Sequence, residues 1–261
     1  MQPQKRQPIS RRSALRRELT LRGTATVEEL CAALGASPAT IRRDLQALED
    51  EGVVERGYGG ATIRSVTPAE EDLANRLLQE IDAKRAIAVS VMQFVKPHST
   101  VFLNDGSTIT ILAQHIATLD IELFIVTPAV NVANILAINP KITVCLLGGY
   151  VRRTSLATVG PFTESMLEMI SADVAIVSCD AFSARDGLCY HHAEDAAIVR
   201  KMADRAGEMI AIVSGAKFDR RARIAGTPPA RLAKLVTENP RHATAVRLAQ
   251  AGIPIVEAKM P

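Results

Sequence analysis

The stretch that decides the fold is TVEELCAALGASPATIRRDLQALEDEGVVERGYGGA, residues 26–61. Thr26, with Glu29 three residues later, forms the capping-box pattern of a helix start, and Gly35 predicts the end of that helix. Ser37, which is followed by a proline, suits the N-cap of a second helix. Two short helices separated by a glycine-containing turn are typical of a helix-turn-helix.

The second helix has two different faces. Ile41, Leu45 and Leu48 recur at helical spacing and predict a buried stripe. Arg43 and Gln46 then lie on the opposite face, and Arg42 lies at its flank. In the major groove an arginine can bond guanine and a glutamine can bond adenine, so this pattern favours a DNA-reading helix. The alternative is an ordinary solvated helix.

Basic residues and a predicted hairpin flank this helix. Residues 1–22 hold seven basic residues and one acid, whereas the whole 261-residue chain carries only +3. A concentrated basic end that includes Arg11 and Arg12 indicates a polyanion partner, although a solvated, disordered tail has the same composition. Short β-type runs on either side of Gly-Tyr-Gly-Gly predict a wing, from whose tip Arg56 and Tyr58 can reach the phosphate backbone.

The quoted stretch closely resembles the N-terminal signature of DeoR-type bacterial transcription regulators. The shared features are a valine-x-x-leucine helix, a capping serine, Thr-Ile-Arg-Arg-Asp-Leu and a terminal Gly-Gly-Ala. In this chain the resemblance implies sequence-specific DNA binding through Ser37 on the backbone and through Thr40, Arg42, Arg43 and Gln46. Asp44 is expected to pair with an arginine inside the module.

From residue 81 onward, apolar β-type runs alternate with helical patterns. Such alternation predicts a doubly wound, largely parallel α/β sheet with helices on both faces. The predicted strands cover residues 100–103, 123–127, 143–147, 174–178, 209–213, 234–237 and 254–256. The predicted helices include residues 130–138, 164–170, 193–205 and 243–251.

Ligands of such sheets bind at the carboxyl ends of the strands. The residues that follow the predicted strands are small, hydroxylated or charged, and FLNDGSTITILAQ (residues 102–114) is a strand, turn and helix start that could hold an anion. Taken singly, each turn is better explained as a plain connection. Together they predict a site for an oxygen-rich, anionic ligand. Asn104, Asp105 and Arg152 are among its candidate residues.

The segments LNDGST, VTPAVNVA, LLGGYVR, VGPFTE and SGAKFDR resemble the DeoR effector domain. That domain is related to ribose-phosphate isomerases, and family members sense phosphorylated sugars or related metabolites. The resemblance implies a pocket lined by Gly106, Ser107, Thr108, Thr127, Gly148, Gly149, Asp180 and Lys217. Asn104, Pro128 and Ser214 depart from the family's Asp, Asn and Asp, which suggests an effector that is more anionic or less hydroxylated than a usual sugar phosphate.

Catalysis and metal binding are the competing functions for this half. Isomerisation needs a carboxylate base and a cation. Asp105 or Asp180 could serve as the base, with Lys217 as the cation. Asn104 and Ser214, however, stand where relatives carry carboxylates. We therefore expect no enzyme. Cys179, Cys189, His191 and His192 match no standard zinc spacing, so we expect a loop over the pocket and neither metal nor cofactor.

The predicted organisation is a winged helix-turn-helix over residues 1–64, a linker with a helix over 65–81 and an effector-sensing domain over 82–261. The expected partners are double-stranded operator DNA, a phosphorylated sugar-like effector and further copies of the chain, as a homodimer or homotetramer. With no apolar run of ~20 residues and no apolar centre near the N-terminus, we expect a cytoplasmic protein. We expect repression of a carbohydrate or sugar-acid operon, with activation as the alternative. The sequence leaves the operator and the effector's identity open.

Overall fold

The computed structural model describes residues 8–22, 24–51, 53–57, 59–63 and 73–259. Its packing divides the chain into two units, residues 1–70 and 71–261, and each is built around its own hydrophobic core. The helix over 73–78, expected in the linker, packs within the second unit against the helix over 107–116. In the part of the chain that the structure describes, no helix is both long enough and apolar enough to cross a bilayer.

The first unit is a three-helix module with a small antiparallel sheet of strand order β1-β3-β2. Its elements are α1 (Pro8–Arg22), β1 (Thr24–Thr26), α2 (Val27–Leu34), α3 (Pro38–Asp50), β2 (Val54–Gly57) and β3 (Gly60–Ile63). The predicted helix-turn-helix and wing are therefore confirmed.

Local signals set the ends of α2 and the faces of α3. Thr26 and Glu29 make the reciprocal capping bonds, with the Glu29 N–H donating to the Thr26 hydroxyl at 3.2 Å and the Thr26 N–H donating to the Glu29 carboxylate at 2.8 Å. Gly35 ends α2 in the left-handed conformation, at φ +63°. The predicted stripe of α3 is confirmed, because its apolar side chains are buried against α1, α2 and β2.

The second unit holds the remaining α-helices and β-strands. They are α4 (Leu73–Leu78), α5 (Ile81–Val91), β4 (Thr100–Leu103), α6 (Ser107–Ile116), β5 (Leu123–Thr127), α7 (Val130–Leu136), β6 (Ile142–Leu146), β7 (Tyr150–Arg152), β8 (Ala157–Val159), α8 (Pro161–Glu168), β9 (Ala172–Val177), β10 (Ala181–Ser183), β11 (Gly187–Tyr190), α9 (Ala193–Arg205), β12 (Ala206–Ile212), β13 (Ile224–Thr227), β14 (Lys234–Thr237), α10 (Ala243–Gln250) and β15 (Ile255–Glu257).

A seven-stranded sheet organises this unit, with the order β15-β14-β12-β9-β4-β5-β6 and parallel pairing throughout. Both faces are covered, since Phe102 belongs to one core cluster and its neighbours Val101 and Leu103 belong to the other. The predicted doubly wound α/β fold is confirmed. Strand order reverses between β4 and β9, and ligands of such sheets bind in the crevice at that point.

Two small antiparallel sheets were not predicted. They are the β7–β8 hairpin and the three-stranded sheet β10-β11-β13. The expectation of a loop around Cys189 was wrong, because β10 and β11 form a hairpin there. Its short strands are interrupted by Ser-Ala-Arg-Asp-Gly, a composition that sequence reasoning assigns to turns.

Candidate DNA-reading face and effector site

The start of α3 is built as an exposed reading end. Ser37 caps the helix, and its hydroxyl lies 2.9 Å from that of Thr40 while accepting the Thr40 N–H at 3.4 Å. Arg42 and Arg43 follow on the exposed surface, and neither has a hydrogen bond or ion pair within the part of the chain that the structure describes. Two unneutralised guanidinium groups on the first turns of a helix suit both base edges and phosphates.

Gln46, one turn further on, is held by neighbouring side chains. Its carboxamide oxygen accepts a hydrogen bond from Arg56 in β2, and its nitrogen donates to Asp50 at 3.0 Å and to Glu49 at 3.3 Å. Glu49 also accepts the Arg56 backbone N–H at 3.2 Å. Two of the predicted DNA contacts, one on the reading helix and one on the wing, are thus linked to each other.

The remaining predicted DNA contacts have different surroundings. Arg11 points into the module, where its Nε donates to the Asp44 carboxylate at 2.5 Å and its Nη2 donates at 3.3 Å, so it is the expected intramolecular partner of Asp44 rather than an outward contact. Arg12 is half-exposed and bonds Glu51 at 3.2 Å. Tyr58 lies outside the described residues.

Charged residues converge at the switch point of the second unit. Asp105 follows β4 and Asp180 lies beyond the end of β9, so both sit at the carboxyl edge of the sheet. Gly106 connects β4 to α6 at φ +112°, in a region that favours glycine. Arg76 of α4 reaches this edge and lies 3.6 Å from the Asp180 carboxylate.

Arg152 and Asp195 form the second ion pair of this cluster. Both carboxylate oxygens of Asp195 accept hydrogen bonds from Arg152 Nη1, at 2.6 and 2.7 Å, and Glu194 lies 3.5 Å from Arg152 Nη2. Burial, followed by the charge of Asp105, raises the pKa of Asp195 to about 7 against the opposing effect of Arg152. Near neutral pH, the Asp195 carboxyl is therefore protonated in a substantial fraction of the molecules.

Burial also shifts the pKa values of two other groups of the site. It raises the pKa of Asp105, with Asp180 adding to the effect and Arg76 and Arg152 opposing it. Burial also lowers the pKa of Lys217, and the charge of Asp180 offsets only part of this decrease. A buried, mixed-charge site of this kind is typical of a functional pocket.

A cavity of about 270 Å³ opens beside the cluster. Its lining is predominantly basic and consists of Arg76, Gln79, Glu80, Lys84, Ser107, Ala216, Lys217 and Arg220. The Nε–H of Arg76 is buried and has no hydrogen-bond partner among the described residues. Four cations against one carboxylate suit a small anion better than a neutral ligand.

Asn104 does not line this site. It is 2% exposed, its carboxamide accepts the Ser178 N–H at 2.9 Å, and the same group donates to the Ser178 carbonyl at 3.1 Å. The residue therefore joins the ends of β4 and β9. This placement removes the main reason for predicting an unusual effector from Asn104.

Other predicted pocket residues also have structural partners. The Thr127 hydroxyl is buried and accepts the Ala129 N–H at 3.1 Å, and Thr108 is buried in α6. Gly148 and Gly149 lead into β7, and a Cβ at Gly149 would lie 2.2 Å from the Thr163 hydroxyl. The structure brings Asp105, Ser107, Arg152, Asp180 and Lys217 to the site or its cavity.

Three residues of the candidate site could not be predicted from the sequence. Arg76 and Glu80 precede the sheet, while Asp195 lies in the first turn of α9, so none directly follows a predicted strand. The Ser214 hydroxyl donates to the Glu80 carboxylate at 3.0 Å, and Glu238 accepts the Gly215 N–H at 2.7 Å. Carboxylates from elsewhere in the chain thus reach the turn in which the family's aspartate is replaced.

Comparison with known proteins matches both units. Residues 11–67 match the family model of the DeoR-like helix-turn-helix domain, and residues 79–239 match that of the DeoR C terminal sensor domain. The chain is 28% identical to the HTH-type transcriptional regulator GolR of Listeria innocua, over 95% of this chain and 98% of GolR. It is 30% identical to a putative aga operon transcriptional repressor of Escherichia coli O157:H7, over 80% of this chain and 78% of that protein. Ribose 5 phosphate isomerase A from Neisseria gonorrhoeae aligns over 53% of each chain, with 16% identity and a TM-score of 0.40.

Proposed function

Because the chain belongs to the DeoR family of DNA-binding transcriptional regulators, we propose that it represses transcription and that a small phosphorylated, sugar-like anion relieves the repression. The observation that carries the effector class is the basic cavity around Lys217 and Arg76. Repression is supported by the name of the Escherichia coli O157:H7 relative, a putative operon repressor.

The proposed mechanism couples two sites through populations. DNA and effector favour different arrangements of the oligomer. The coupling free energy is set by the difference between the effector's affinities for the two arrangements. One reading helix offers little contact area, so we propose a homodimer or homotetramer on repeated half-sites. We place its action in the cytoplasm, where bacterial operators lie, and we assign the second unit to sensing without turnover, in line with relatives named as regulators.

The DNA side of the proposal is tested on Arg43. Selection from a random duplex library with the full chain first defines the operator. Arg43→Ala should then weaken operator binding by about 1–3 kcal/mol and random-DNA binding by much less, if Arg43 reads a base. Equal losses on both DNAs would make it a phosphate contact. Arg85→Ala, at an exposed arginine of α5, is the matched control and should bind normally.

The effector side is tested by a thermal-shift screen of sugar phosphates and sugar acids. A ligand present at 100 times its dissociation constant stabilises the protein by about 2.7 kcal/mol. Lys217→Met should abolish both this stabilisation and the ligand-induced release of the protein from operator DNA. The variant should still bind operator when no ligand is present. Lys96→Met, at the opposite end of the strands, is the control. Turnover of any stabilising compound would contradict the assignment to sensing.

A further inference from the structure

Helix α8 and the neighbouring strand β7 carry an exposed apolar surface. Tyr150, Phe162 and Met169 are 68%, 64% and 75% exposed, and the Tyr150 and Phe162 ring centroids lie 6.3 Å apart. Met166 is half-buried between them and the body of the unit, with its sulfur 3.0 Å from the Gly148 nitrogen. These four residues form an aromatic patch.

Folding of the unit does not account for the aromatic patch. Helix α8 already buries Thr163 and Leu167 against the body of the unit. Phe162, Met166 and Met169 form a second stripe at spacings of four and three residues, which lies about 100° around the helix from the buried one. Contiguous apolar surface of this kind marks an interaction site.

We propose that the aromatic patch is the surface through which two copies of this chain associate. The proposal rests on the proposed function in one respect, because DNA reading by one short helix calls for a second copy. The patch itself holds no charge, so facing its own copy across a two-fold axis brings no like charges together. The adjacent carboxylates Glu164 and Glu168 share the ammonium group of Lys201, which bonds Glu168 and lies 3.9 Å from Glu164.

The size of the surface fits this occupant. A buried aromatic side chain contributes about 150–250 Å², so the patch supplies roughly half of the ~800 Å² per partner that a stable interface needs. The remainder is available at β6, the outer strand of the seven-stranded sheet, to whose free edge no strand pairs within the described residues. Leu146 of that strand is 41% exposed and lies four residues before Tyr150.

The aromatic patch is also continuous with the effector site. Tyr150 and Arg152 belong to the same three-residue strand, β7, and Arg152 holds Asp195 in the site. A rearrangement around Asp195 would therefore reach the interface through one short element. This position suits an interface that responds to the effector.

Sedimentation velocity of the full chain over a range of concentrations tests the proposal. Wild type should sediment as a dimer or larger species. Phe162→Asp, and separately Met169→Lys, should raise the dissociation constant at least thirtyfold while circular dichroism and thermal unfolding of the dissociated chain show a folded protein. Ile138→Asp is the matched control, since Ile138 is 82% exposed on another part of the unit, and it should leave association unchanged.

Three outcomes would overturn the proposal. These are a wild-type monomer at all concentrations, which would leave the patch to a different partner; an unchanged oligomer in both patch variants; or equal dissociation of the Ile138→Asp control. Operator binding by wild type is measured in the same samples. If the patch variants remain oligomeric, this interface is refuted. If wild type binds operator in the same experiment, the proposed function still stands.

Discussion

The carboxamide of Asn104 binds both backbone polar groups of Ser178, accepting the N–H at 2.9 Å and donating to the carbonyl at 3.1 Å. The two residues lie 74 positions apart and end adjacent strands, β4 and β9. An amide is the one side-chain group here that can both accept and donate in this geometry. The residue therefore fixes the edge of the sheet on which the charged site is built.

Asn104→Asp should destabilise the protein by about 1–3 kcal/mol, because a carboxylate keeps the acceptor but turns a second oxygen toward the Ser178 carbonyl. The loss should be larger at pH 8 than at pH 5, since protonation restores a donor. Urea unfolding at both pH values measures it. Asn134→Asp, at an exposed position of α7, is the control, and wild-type stability of Asn104→Asp at pH 8 would contradict the account.

The Arg11–Asp44 pair should stabilise the first unit. The Asp44 side chain is 7% exposed, so Asp44→Ala removes a nearly buried carboxylate together with the two hydrogen bonds that it accepts from Arg11, and it should cost about 1–3 kcal/mol. Hydrogen exchange of the α3 amides, followed by mass spectrometry, reports this loss locally. Arg12→Ala, in α1 next to Arg11, is the comparison, and its exposed partner Glu51 predicts an effect below about 1 kcal/mol. Equal effects of the two substitutions would argue against a special role for Asp44.

Asp195 should make the second unit less stable as pH rises from about 4 to 7. The folded carboxyl, with a pKa of about 7, keeps a proton that the unfolded chain loses near its ordinary pKa of about 3.9. The folded state thus binds more protons in this window, and the free energy of unfolding falls with pH. Asp195→Asn should flatten the dependence measured by urea unfolding. An NMR titration in which the Asp195 carboxyl has its midpoint near 4 would contradict the prediction.

Gln46 and Arg56 should act as one unit in DNA binding. Arg56 holds the Gln46 carboxamide, so removing either side chain also disturbs the other. The operator affinities of Gln46→Ala, Arg56→Ala and the double variant should show a coupling of at least about 0.5 kcal/mol. Losses that add within about 0.3 kcal/mol would mean that the two residues contact DNA independently.

Features with local causes could be predicted from the sequence. The start of α2 depends on Thr26 and Glu29, three residues apart, and the buried stripe of α3 depends on helical spacing. The inner strands of the parallel sheet are largely buried on both faces, so each appears as a nearly continuous apolar run. Short-range signals of this kind are legible without knowledge of the rest of the fold.

Features made by distant residues could not be predicted. Asn104 was placed in the pocket because it follows a strand, and its partner Ser178 is visible only once β9 is known to lie beside β4. Arg76 reaches Asp180 from a helix outside the sheet. The ligand-facing set depends on which turns approach one another, and that information is absent from the local pattern.

The neighbour relation of β4 and β9 also has a consequence for synthesis. Strands β4, β5 and β6 leave the ribosome well before β9, so a nascent chain presents the inner edge of β4 unpaired until some seventy further residues have emerged. Exposed strand edges recruit other chains. Slow translation between residues 147 and 177 would prolong that exposure, and the yield of active protein should therefore depend on codon choice in this interval more than in the segment after β9.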